Sequence, residues 1–235
     1  MHFFIYALAF ATGLAQLGTV AFLLAGPVRR YTFVLAYSLA QLITSLLEFV
    51  VVRRFGEISR QYKIMFWSDE IALDLLLFLI LMLLTYRAME GSPARRGMGR
   101  MLGAVTIAVM GLPFLLFKGT FVKMEWFDHT SQLLNFGAAI LNLGLWTALL
   151  RSGRRDKTLL TVSAGFGIIA TGAAVSFGLR LLVRGHGAEL YAVSQVFVAA
   201  QLVGAMILCW AFRPWSGEYG AVRRGRPLVL GTFVL

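Results

Sequence analysis

Four sets of polar residues interrupt the long apolar runs of this sequence, and any chemistry must come from them. Glu70 and Asp74 stand four residues apart, so on a helix both carboxylates share one face. Gln41, Ser45 and Glu48 follow an i, i+4, i+7 pattern in the preceding run and make one polar stripe. Asn135 and Asn142, seven apart, share a face of a later run, and Arg180, Gln195 and Gln201 mark the last two runs. A charge at the centre of a membrane helix costs about 3 kcal/mol on insertion scales, so it faces protein or water and is paired or functional there. Carboxylates, amides and a guanidinium can bind a small polar ligand, exchange ion-pair partners in a conformational switch, or hold a bundle together as a structural ion pair.

Other chemistries lack their residues. Retinal chemistry needs a Schiff-base lysine in the last helix, and 190–212 contains no Lys. A transmembrane haem needs axial histidines, whereas His2, His129 and His186 fall at run ends or in loops. The sequence has no His-Glu-x-x-His motif, no Gly-x-Ser-x-Gly elbow and no Walker loop, so zinc hydrolysis, serine hydrolysis and nucleotide-driven chemistry have no support. A lone cysteine, Cys209, is incompatible with an intrachain disulfide or a multi-cysteine metal site. The expectation is a protein that is not an enzyme and has no cofactor and no metal.

The elements that must position the polar sets are membrane helices. Hydrophobic residues make up 59% of the 235 and charged ones 14%, with a mean hydropathy of +0.77. That is more apolar surface than a soluble core of this length can bury. A spanning helix takes roughly 20 apolar residues. Charge clusters, Gly and Pro divide the chain into apolar runs at about 3–25, 31–52, 68–86, 101–117, 131–150, 158–183 and 190–212. The fold expected is all-α: a polytopic transmembrane bundle of seven helices over residues 1–212, followed by a basic cytoplasmic tail at 213–235. Phe3 to Ala25 is too long for a signal-peptide core and lacks a basic start, so it reads as the first span. Arg53 to Trp67 is amphipathic and either lengthens a helix or lies at the interface. Pro113 should kink the fourth helix, and Ala170, Ala174 and Gly178 offer a smooth strip for close helix contact.

Most of the 22 Lys and Arg residues fall on the first, third and fifth connections and the tail, which the positive-inside rule reads as N-out/C-in. Arg53, Arg54, Arg60 and Lys63 lie on the opposite side and reduce the bias. The net charge of +11 is explained by topology and anionic headgroups, so the expected partners are membrane lipids and no nucleic acid. Trp67 and Trp126 then serve as outer interface anchors, and Trp210 and Trp215 as inner ones. In this orientation Glu48, Glu70, Asp74, Asn135, Arg180 and Gln195 all fall in the outer part of the bundle. They form the candidate site, an outward-facing polar pocket in which Arg180 faces Glu48 or Asp74.

The stretches Arg29-Arg30-Tyr31, Phe66-Trp67-Ser68-Asp69-Glu70, LGLWTALLRSGRRDK from Leu143 to Lys157 and GFGIIATGAAVSFGLR from Gly165 to Arg180 together carry a resemblance. The chain resembles an uncharacterised family of seven-helix bacterial membrane proteins, which implies the architecture and the bacterial cytoplasmic membrane, and no activity. Its layout is also similar to the seven-helix sensor modules of bacterial histidine kinases, a likeness at the level of fold. It lacks their cytoplasmic kinase, so output would need a separate partner reached through the cytoplasmic loops, the tail or the sixth helix. A sensor or receptor-like protein is the leading expectation. A transporter or channel and a structural or assembly subunit are the alternatives.

Overall fold

The computed structural model describes residues 2–26, 28–56, 59–89, 95–116, 124–151, 157–183 and 187–213. Among them are seven helices and no strand: α1 (His2–Leu24), α2 (Thr32–Phe55), α3 (Arg60–Ala88), α4 (Arg95–Leu116), α5 (Met124–Arg151), α6 (Lys157–Leu182) and α7 (Gly187–Ala211). α1, α2, α3, α6 and α7 are long and apolar enough to cross a membrane; the apolar part of α4, Gly99–Leu115, is shorter. Most of the expected tail, together with His186 and Trp215, lies outside the described residues.

Where the amphipathic stretch 53–67 goes is decided by two local features. Ser59 caps α3, its hydroxyl oxygen accepting from the Tyr62 amide at 3.1 Å, so the helix starts eight residues before the apolar run does. Gly56 ends α2 at φ +81°, ψ 157°, a conformation open essentially to glycine alone. The stretch therefore lengthens both helices, α2 to Phe55 and α3 from Arg60. Gly56→Ala is expected to cost about 1 kcal/mol, read as a melting temperature lower by about 3 °C. An unchanged melting temperature would count against the strain.

Polar atoms inside the helices are largely handled locally. The hydroxyls of Thr12, Thr19, Thr85, Thr106 and Thr147 each donate to the carbonyl four residues back at 2.8–2.9 Å. A threonine can thus sit in an apolar setting on its own helix's carbonyl, and Thr106 also reaches Met82 Sδ of α3 at 2.7 Å. α4 runs through Pro113 to Leu116 as one helix.

α3 occupies the middle, touching α2, α4, α5 and α6, while α1 closes the arrangement between α2 and α7. α6 and α7 share the tightest seam. A Cβ at Gly165 would lie 3.1 Å from the Gly204 carbonyl oxygen, one at Gly204 would lie 2.9 Å from that of Gly165, and one at Gly172 would overlap Ala200. Close approach on α6 is therefore the work of Gly165 and Gly172. Of the expected strip, Ala170 and Ala174 are buried, but a Cβ at Gly178 would meet nothing within 4 Å.

Side chains are distributed inside out relative to a soluble protein. Ile107 is 77% exposed, and Phe10 and Leu143 are each 69% exposed, whereas Gln16, Asp74, Ser131 and Asn135 are buried. Two separate apolar clusters form the interior. The larger joins Leu77, Phe78, Leu81 and Leu84 of α3 to Tyr37, Leu145, Phe166 and Leu208, and the smaller joins Trp67, Ala173 and Phe177, with Phe66, Phe127 and Phe197 packed against them.

Candidate functional site

The buried stripe of α3 reads Trp67, Glu70, Asp74, Leu77, Leu81, Leu84, alternating steps of three and four residues that keep one face turned inward. Two carboxylates thus occupy core positions, with the smaller apolar cluster above them and the larger below. α5 follows the same order, whereas on α6 the two clusters adjoin and Arg180 lies beyond the upper one. On α5, Phe127 belongs with the upper cluster, Ser131 and Asn135 are buried polar, and Ala138 and Leu145 belong to the lower one. On α6, Phe166, Ile169 and Ala170 are in the lower cluster, Ala173 and Phe177 in the upper, and Arg180 follows one turn on. On α3 and α5, therefore, polar residues lie between two apolar clusters.

Within the layer, Ser131 and Asn135 flank the Asp74 carboxylate, and the Arg180 guanidinium acts on both Glu70 and Asp74. Arg180 is half-buried and stacks on Phe177, its guanidinium carbon 5.0 Å from the ring centroid. Glu48, half-buried on α2, neighbours Asp69 and reaches Glu70 electrostatically. Tyr37, fully buried, sits within reach of both Glu70 and Asp74, lies beside Gln201 of α7, and meets Phe166 edge-on at 5.2 Å. The polar atoms outnumber their partners. Oδ2 of Asp74, Oγ of Ser131, Oδ1 of Asn135 and Nε of Arg180 are buried without a hydrogen-bond partner. In a low-dielectric interior each such atom costs about 1–3 kcal/mol unless something fills the gap.

The structure brings Glu48, Glu70, Asp74, Asn135 and Arg180 into one neighbourhood. The guanidinium acts electrostatically on Glu70 and Asp74, whereas Glu48 neighbours a second carboxylate, Asp69. Gln195 is half-buried on α7, and it is Gln201, six residues on, that ties α7 to Tyr37. Asn142, which shares the Asn135 face, packs instead against Gly167 of α6. Trp67 is 8% exposed, stacked edge-on against Phe66 at 5.4 Å and tilted against Phe127 at 6.1 Å, so it is a lid over the carboxylates and not an interface anchor. Trp210 is 60% exposed, with the Arg213 guanidinium 3.4 Å from its centroid, as an anchor would be.

Three contributors, Ser131, Asp69 and Tyr37, were not among the candidate residues, and Gln16 is a further buried polar residue away from them, on α1, which packs on α2 and α7. Ser131 sits four before Asn135 and shares its face, a signal present in the sequence. Asp69 adjoins Glu70 at the lid, and Tyr37 stands four before Gln41 on the α2 stripe. Gln16 of α1 is 0% exposed, and neither its amide nitrogen nor its amide oxygen has a partner. Its spacing from Thr12 and Thr19 places all three on one face. No family, curated protein or solved structure matches this chain, so the functional reading rests on the geometry of the polar layer.

Proposed function

We propose that the chain is a sensor or receptor-like integral membrane protein. All seven helices cross the bilayer, N-out/C-in, and a small polar ligand enters an outward-facing pocket bounded by Glu48, Glu70, Asp74, Asn135, Arg180 and Gln195. The observation that carries this reading is the group of buried polar atoms without hydrogen-bond partners around the α3 carboxylates. A merely structural polar cluster would be expected to satisfy its own hydrogen bonds. α5 supports the count of seven: its inward face is Ser131, Asn135 and Asn142, while Phe136, Ile140 and Leu143 are exposed, as suits a lipid-facing helix with a polar interior. The resemblance to seven-helix bacterial proteins fits placement in a bacterial cytoplasmic membrane, with lipids around the bundle and a separate protein partner for output.

Access decides the matter. Glu48→Cys, made on a Cys209→Ser background, is expected to react in intact cells with a membrane-impermeant thiol reagent. Protection from both sides would remove the pocket, and reaction from the inner side alone would invert the orientation.

Transport is the second reading, favoured by one observation. Gln16 on α1 and Gln41 on α2 carry further buried, unpaired amide atoms beyond those around the carboxylates. Discontinuous or polar-lined helices provide such paths in known carriers. Solute uptake into proteoliposomes, abolished by Glu48→Gln, would select transport, while a stoichiometric copurifying protein would select sensing or assembly.

A further inference from the structure

We infer that Arg29 and Arg87 form a headgroup site for one anionic phospholipid, where the start of α2 meets the end of α3. The inference does not depend on the pocket, which lies toward the opposite ends of these two helices.

Local contacts fix the site. The Arg87 guanidinium donates from Nη1 to the Arg30 carbonyl oxygen at 3.0 Å, tying the end of α3 to the connection before α2. Its guanidinium carbon also lies 5.3 Å from the centroid of Phe33, in the first turn of α2. Arg29 leaves the backbone one residue before that carbonyl, and Arg29 and Arg87 are both exposed. Phe33 in turn meets Tyr31 at 5.9 Å, and Tyr31 meets Phe212, just after α7, edge-on at 5.0 Å. The floor of the site is thus joined to a third helix.

Charge calls for an anion. The connections at 25–31 and 87–100 hold six arginines against one carboxylate, Glu90, which lies outside the described residues. Along α2 and α3 the nearest described carboxylates are Glu48, fifteen residues from Phe33, and Asp74, thirteen residues from Arg87. Each is about 20 Å away along its helix axis. Arg87 makes no ion pair with a described residue. A guanidinium presents paired N–H donors that match the oxygens of a phosphate.

The apolar surface leading away from the arginines suits acyl chains. Leu39, Ile43 and Leu46 are exposed at helical spacing on α2, and Leu79, Leu83 and Tyr86 on α3, the last beside Arg87. A basic pair with aromatic rings at headgroup level, above lipid-facing stripes, fits a phospholipid better than a soluble anion.

The test places the full chain in phosphatidylcholine nanodiscs, in which phosphatidylglycerol replaces phosphatidylcholine stepwise at constant ionic strength. Melting temperature is followed by tryptophan fluorescence. A lipid that binds the folded state alone should raise it saturably, by about 4 °C at tenfold the half-saturating fraction. Arg87→Gln should move the midpoint to roughly tenfold more phosphatidylglycerol. Arg53→Gln is the matched control. Arg53 is likewise exposed, with its guanidinium carbon 5.5 Å from the Phe49 centroid, but it stands at the other end of α2, so its loss should leave the midpoint unchanged. A flat titration, a rise without saturation, or an equal shift in Arg53→Gln would each overturn the site, the last two in favour of bulk charge. An equal rise from inorganic phosphate in phosphatidylcholine discs would also overturn it, assigning the arginines to a free anion. Should Arg87→Gln fail to fold, Arg29→Gln carries the test with the same shift expected, because the Arg29 side chain makes no hydrogen bond with a described residue.

Discussion

Gly204→Leu is expected to abolish recovery of folded protein. A Cβ at this position would overlap Ile169 and stand 2.9 Å from the Gly165 carbonyl oxygen, and the backbone of α6 has no rotamer by which to yield. Lipid tails are as apolar as leucine, so two membrane helices are held together by close packing and not by exclusion from water. Losing the seam between α6 and α7 therefore removes the main term that joins them. Gly204→Ala should already cost about 2 kcal/mol, within the range for overpacked interiors, and the larger residue should exceed what a domain of ordinary stability can absorb. The measure is the monodisperse fraction after detergent extraction. Gly178→Ala, where a Cβ meets nothing within 4 Å, is the control and should behave as wild type. Wild-type recovery of Gly204→Leu would mean that α6 and α7 do not meet as described.

The second large effect concerns charge. Arg180→Gln leaves Glu70 and Asp74 buried with no guanidinium acting on them. Even a paired buried charge costs about 3–5 kcal/mol when its partner is removed, and here the coupling is electrostatic without a close contact, so that range is an upper bound. Arg180 is itself half-buried and screened in part, so about 2 kcal/mol, or a fall of about 6 °C, is the expected result. Glu70→Gln added to Arg180→Gln should recover most of that loss, because it removes the charge left without a partner. The double-mutant cycle supplies the discriminating readout. If the two changes simply add, Arg180 and Glu70 are not neighbours and the layer has no common charge balance.

Much of this arrangement was legible before any coordinates. The apolar runs give the seven helices and their order, because burial of the backbone in helices is the way a chain this apolar satisfies its peptide groups. Glu70 and Asp74 share a face by spacing alone, and the three-four alternation from Trp67 to Leu84 marks that face as inward. Helix starts were less legible. α3 begins at Arg60 because Ser59 caps it, a local hydrogen bond that an apolar-run reading does not register. α5 is not among the helices apolar enough to qualify as a span by composition, and its split into a polar inward face and an apolar outward one appears when burial is known.

Rotation about each helix axis was the missing quantity. Gln195 and Gln201 lie on the same helix and are chemically identical, and it is Gln201 that meets Tyr37. The small residues of α6 offer two strips, and the one holding Gly165 and Gly172 received α7. Ser131 and Gln16 look like ordinary polar interruptions in their helices, since a serine or glutamine gives no sign of whether its partner is local, lipid-facing or across the bundle.

Composition and periodicity by themselves determined that this chain is helical, rich in membrane-length apolar segments, and equipped with charges on particular helix faces. Those properties depend on near neighbours in sequence, within a turn or two. The electrostatic influence of Arg180 on Glu70 and Asp74, the conversion of Trp67 into a lid, and the approach of Ser131 and Asn135 to Asp74 were decided by tertiary packing. Each requires the relative rotation and height of separate helices. Those are set by side-chain fit at distant contacts such as Gly165 against Gly204, and no local rule in the sequence encodes them.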